Sequence, residues 1–93
     1  MRRHFKVDLN HREIVAALRD VGASVYSLST VGGGVPDLLV GYKGVNYLLE
    51  IKSGAGTFTP DQIRFSTLYR GAFVVVRSIG EAYDAIGIKE NQQ

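Results

Sequence analysis

Asp37 and Glu50 are two carboxylates with twelve residues between them, and Lys52 follows two positions after the second. Asp37 opens one strand-like run, Asp37 to Tyr42, while Glu50 and Lys52 end another, Val45 to Lys52. The link between them, Lys43-Gly44, suits a tight hairpin turn because glycine tolerates the positive φ that such turns require. If Tyr42 pairs with Val45, stepping the register back from the turn brings Asp37 opposite Glu50. Opposed side chains on one face have Cβ atoms about 4.5–5.5 Å apart, and the two-residue period of a strand puts Lys52 on that face as well. A bulge near Gly41 would instead send Asp37 to the other face, so the grouping depends on the register.

Two carboxylates at that spacing repel by roughly 3 kcal/mol at an effective dielectric near 20, a cost that a purely structural sheet gains nothing by keeping. A cation between them removes it. Oxygen ligands from Asp37 and Glu50 suit Mg²⁺, with Mn²⁺ able to substitute, since these ions take one or two carboxylates and leave positions open for phosphate oxygen. The backbone carbonyl of Ile51 is a candidate further ligand. Lys52 supplies a positive charge able to orient a water or to stabilise charge developing on a phosphorane. The plainer alternative is that Asp37 caps a turn after Pro36 while Glu50 and Lys52 form a surface ion pair. Against it, Glu50 is flanked by Tyr47, Leu48, Leu49 and Ile51, a poor setting for gratuitous charge.

The elements that must position these groups follow from periodicity and caps. Asn10 with Glu13 reads as a capping box opening a helix in which Ile14, Leu18 and Val21 recur on one side until Gly22. Ser24 to Ser29 reads as a first strand, running into Gly32-Gly33-Gly34. Thr59-Pro60-Asp61-Gln62 places an N-cap hydroxyl, a proline at the first helical position and a capping-box glutamine in sequence, opening a helix to about Arg70. Ala72 to Val76 reads as a strand buried on both faces. Ser78 with Glu81 opens a last helix burying Ile79, Ala82, Tyr83 and Ile86. The order is αβββαβα. A helix between the third and fourth strands makes those two parallel and the first three an antiparallel meander, so the sheet is mixed and four-stranded, with the first two helices packed on it.

Composition sets limits. Ninety-three residues, 45% hydrophobic and 22% charged, fit one domain spanning 1–93, with a core small enough that a homodimer would help. The absence of cysteine excludes a disulfide scaffold, a thiolate metal site and a cysteine nucleophile, and points to the cytoplasm. No apolar run is long enough for a membrane span. The net charge of +2 permits a polyanionic partner without requiring one. His4 and His11 lack ligand spacing, and Gly32-Gly33-Gly34 is not followed by the Gly-Lys-Ser/Thr or the helix of a phosphate-binding loop, so it reads as a flexible lead into the site. No motif for an organic cofactor is present.

Pro36-Asp37, twelve residues, then Glu50-Ile51-Lys52 resembles the PD-(D/E)XK nuclease signature. The wider string Gly34-Val35-Pro36-Asp37-Leu38-Leu39-Val40, then Glu50-Ile51-Lys52-Ser53-Gly54, then Thr59-Pro60-Asp61-Gln62 before Phe65, resembles the VRR-NUC branch, the virus-type replication-repair nucleases. The likeness runs from about Glu13 to Val76 and implies a restriction-endonuclease-like α/β core. It implies metal-dependent hydrolysis of DNA phosphodiesters, with Asp37 and Glu50 as ligands and Lys52 as the catalytic lysine. Stand-alone members from phages and bacteria are similar to Holliday-junction resolvases, which implies a dimer cutting four-way junctions, in the host cytoplasm if phage-encoded. Glu13 matches the family's acidic residue on the first helix, a candidate ligand, although a capping-box role with Asn10 explains it equally well. Gln62 resembles the family's glutamine on the second helix and falls on the side shared by Phe65 and Tyr69, so it is expected both to cap and to reach the site.

Two rival readings remain at this level. The same site could act on flaps, forks or DNA ends. Alternatively, the chain could be a non-catalytic DNA-binding subunit that keeps the nuclease fold, which the retention of Asp37, Glu50 and Lys52 together argues against.

Overall fold

A computed structural model describes residues 2–54 and 56–89, with the side chains of the first helix described from Asn10 onward. The side chains of Arg2, Arg3, His4 and Lys6, and the terminal Asn91-Gln92-Gln93, lie outside the described residues. The elements run α1 (Arg2–Asp20), β1 (Ser24–Ser27), β2 (Leu38–Tyr42), β3 (Val45–Ile51), α2 (Pro60–Leu68), β4 (Phe73–Val76) and α3 (Ile79–Ala85). This is the expected αβββαβα order, and the four strands lie side by side in chain order. The first three are antiparallel and β3–β4 is parallel, a mixed sheet.

The hairpin fixes the register. Lys43 and Gly44 both take positive φ, 50° and 82°, the combination that a two-residue turn needs to match the twist of its strands. Tyr42 therefore pairs with Val45 and Leu38 with Leu49, with no bulge in the ladder.

Alternation then divides the sheet into two unlike faces. Val25, Leu38, Val40, Leu49, Ile51 and Val76 point to one side, where they join Ile14 and Leu18 of α1 and Ala82 of α3 in the hydrophobic core. The two helices pack against each other over this side, and the Tyr83 hydroxyl donates across to the Ala17 carbonyl at 3.4 Å. Arg19 closes the same edge by donating to the Val25 carbonyl at 2.8 Å. The other side carries a row across all four strands, Tyr26, Leu39, Leu48 and Phe73, set by their pairing. Among the described elements α2 alone covers it, at one end, where Phe65 meets Phe73 edge to face.

Four expectations are corrected. The first helix begins at Arg2 rather than at Asn10, so Asn10 and Glu13 lie in its interior and form no capping box. No glycine or proline interrupts residues 2–20, so nothing stops the helix from propagating through the apparent start signal. The second helix does not bury the apolar face expected to pack on the sheet, since none of its residues is buried, and it is α3 that packs beside α1. In β4 only Val76 is fully buried, because the strand lies at the sheet edge and α2 covers its second face thinly. Ile79, expected in the core of the last helix, is exposed at its first turn, while Ala82 and Ile86 are buried as expected. No helix among the described residues is long and apolar enough to cross a membrane.

Candidate active site

The site forms where the β2–β3 ladder ends. Asp37 lies one step beyond the Leu38–Leu49 pair, opposite Glu50. Three constraints hold it there. Pro36 before it is fully buried, the Asp37 carbonyl accepts from Leu28 N–H at 2.7 Å, and its Oδ2 accepts from Ile51 N–H at 2.8 Å. The carboxylate thus takes the place of a strand backbone in extending the ladder, and its Oδ1 is not used in that bond.

Glu50 is the one charged residue in the buried set of the described chain, at 4% exposure. Its carboxyl is held above the ordinary 4.5, first by burial and next by the negative charge of Asp37, with Lys52 and the Asp37 backbone N–H pulling in the opposite direction. A buried carboxylate facing another carboxylate is the arrangement that a bound cation relieves.

Lys52 and Gln62 complete the cluster. The Lys52 ammonium donates to the Thr57 carbonyl at 2.9 Å and to Gln62 Oε1 at 3.0 Å, and stands 3.5 Å from Glu50 Oε2. Two of its three N–H groups are hydrogen-bonded, and the Glu50 contact is an ion pair. The ammonium also lies over the Phe58 ring, 4.8 Å from the centroid. Gln62 serves the helix and the site at once. Its backbone N–H donates to Thr59 Oγ1, its Oε1 accepts from Thr59 N–H, and this capping box fixes the start of α2. The same Oε1 accepts from Lys52, and Nε2 donates to Glu50 Oε2 at 3.0 Å. The expectation that one glutamine would both cap and reach the site describes this geometry.

The structure therefore brings Asp37, Glu50, Lys52 and Gln62 together, with Ile51 joining through its amide. It does not bring Glu13 to them. Glu13 is exposed on α1, and no group of three or more His, Asp or Glu side chains gathers among the described residues. A cation here would draw on two carboxylates and on backbone oxygen such as that of Ile51.

Two contributors escaped the sequence reading. Arg77 donates from Nε to the Gly54 carbonyl at 3.0 Å and from Nη2 to the Gly56 carbonyl at 3.5 Å, tying down the connection that leaves Lys52. The only available signal was an arginine directly after the parallel strand that neighbours β3, which places it at the same end of the sheet as Lys52. The second contributor is Gly34, which packs against the start of α2. On the exposed side of α2, Arg64 pairs with Asp61 at 2.7 Å. No family model, no curated protein and no solved structure matches this chain.

Proposed function

We propose that the chain is a metal-dependent DNA endonuclease with a PD-(D/E)XK-type site, acting as a homodimer on branched DNA such as four-way junctions. The observation that carries the reading is the buried Glu50 facing Asp37 at the end of a shared ladder, with Lys52 and Gln62 bonded around it. The donor set fits a hard divalent cation: both side chains are carboxylates, and Glu50 stays buried beside like charge with its carboxyl pushed upward.

Asp37 and Glu50 would hold Mg²⁺ or Mn²⁺, with the Ile51 carbonyl as a further oxygen. When bound, the cation supplies Lewis-acid activation of water and charge neutralisation on the phosphate. The chain's own residues do the remaining work. Ile51 N–H fixes the orientation of the Asp37 carboxylate so that its other oxygen is presented. Gln62 fixes Glu50 in the same way through Nε2. The Lys52 ammonium is aimed at the Glu50 carboxylate, where it can stabilise negative charge as the phosphodiester is attacked. Two of its three protons are hydrogen-bonded, to the Thr57 carbonyl and to Gln62 Oε1, and releasing one of them frees it further for a phosphate oxygen or a water. The Thr57 carbonyl, on the exposed connection, is the cheapest to give up.

The test is a substrate panel. End-labelled four-way junction and matching linear duplex are incubated with the purified chain in Mg²⁺ or EDTA, beside Asp37→Asn. Paired symmetric nicks on the junction, absent in EDTA and in the variant, are the expected result. Equal cutting of both substrates would keep the nuclease and remove the junction preference. No cutting with Mg²⁺ or Mn²⁺ would favour the non-catalytic DNA-binding reading.

A further inference from the structure

We propose that Gly34 is a positioning residue, whose missing side chain lets the connection from β1 to β2 lie directly on the first turn of α2 and so sets where Gln62 meets Glu50 and Lys52. The structural half of this claim stands by itself, and its effect on turnover rests on the hydrolase reading above.

Three consecutive glycines occupy that connection, and all three have positive φ: 78° at Gly32, 66° at Gly33 and 82° at Gly34. Each position is therefore strained for any other residue. Their surroundings differ. A Cβ at Gly32 or Gly33 would meet nothing within 4 Å. At Gly34 a Cβ would overlap the Asp61 carbonyl and stand 2.9 Å from the Gln62 amide nitrogen. These are backbone atoms, which cannot turn aside as a flexible side chain can.

The peptide that would be displaced is the one that carries Gln62. Its N–H makes the capping bond to Thr59 Oγ1 at 3.1 Å. Few other contacts would resist the shift, since α2 has no buried residue and rests on the sheet mainly through Gln62 and the Phe65–Phe73 edge. Three residues beyond Gly34 the same connection delivers Asp37 to the ladder. The close approach at Gly34 therefore couples the segment that carries one carboxylate to the helix that orients the other.

The neighbouring glycine supplies the control. Gly33→Ala and Gly34→Ala share the positive-φ cost, and only the second meets α2. In metal-free protein, NMR of the Gln62 side-chain amide and the Lys52 ammonium is expected to match wild type in Gly33→Ala and to shift in Gly34→Ala. Unchanged signals in Gly34→Ala, or equal shifts in both variants, would overturn the proposal. No substrate enters this readout, so it is decided independently of whether the chain cuts DNA. In cleavage, Gly34→Ala should lower kcat about a hundredfold relative to Gly33→Ala, with KM little changed, as misplacement of a site by about 1 Å does. Equal kcat values would also overturn it. Should Gly34→Ala fail to fold, wild type still decides: a nuclear Overhauser contact between the Gly34 α-protons and the Gln62 amide proton is expected, and its absence would refute the approach.

Discussion

The two faces of the sheet are built by different rules. On the α1–α3 face, Ile14, Leu18, Val40, Leu49 and Val76 are wholly inaccessible, and helices meet strands through apolar packing, with the Arg19 bond to the Val25 carbonyl at its edge. On the other face α2 buries nothing, and Ile63 and Leu68 stand 55% and 65% exposed. What fixes α2 there is its capping box, one glutamine shared with Glu50 and Lys52, an aromatic edge and the approach at Gly34. Apolar packing is concentrated on one face and the Asp37-Glu50-Lys52-Gln62 cluster on the other. Buried charge is costly, and the protein confines it to the side where its core is not at stake.

The largest effect should come from damaging the packed face. Leu49→Ala removes a wholly buried side chain and should cost about 2–5 kcal/mol of stability, read from urea denaturation, while leaving cleavage per folded molecule unchanged. A similar loss of cleavage in folded Leu49→Ala would break the separation of the faces.

Gln62→Leu should do the reverse. It strips donors and acceptors from Glu50, Lys52 and Thr59, and the loss of such an orienting partner should lower kcat by about 10–100-fold. The core should stay intact, as checked by unchanged amide-exchange protection in α1 and β2. A drop in core protection would show that the polar face also supports the fold.

Glu50 links the comparison to pH. Its folded-state carboxyl lies above the ordinary value, chiefly through burial, so the folded chain favours the protonated form. That contribution is fully present below the ordinary carboxylate range and is lost as pH rises through the raised folded value. In EDTA, wild type should lose stability across that interval, and Glu50→Gln should flatten the loss. Identical pH profiles would mean that Glu50 carries no such cost. The smallest effect is expected at Leu68→Ala, on the exposed side of α2, where stability should change by no more than about 0.5 kcal/mol. A larger loss would show that α2 is held by apolar contact after all.

Much of the site was legible because it depends on short-range rules. The Lys43-Gly44 turn sets the register, and the register sets Asp37 against Glu50. The Thr59-Pro60-Asp61-Gln62 start places Gln62 by capping chemistry that needs no tertiary information. What escaped depends on packing between distant segments. Whether Asn10-x-x-Glu13 starts a helix depends on the chain before it, and that chain is already helical. The apolar run at Phe73–Val76 reads the same in an edge strand as in a central one, since burial is decided by neighbours. Glu13 could be placed on a helix by pattern, but not beside or away from the carboxylates. Gly34 opens the Gly34-Val35-Pro36-Asp37 string, but its approach to α2 depends on packing between distant segments.

In the proposed function, Asp37 and Glu50 are held together to bind a cation. Calorimetric titration of Mn²⁺ into the metal-free chain tests it most directly, with Asp37→Asn and Glu50→Gln in parallel. Binding to wild type that is lost in both variants, while their folds are retained, is the predicted result. Binding that persists in both variants, or no binding to wild type, would contradict it.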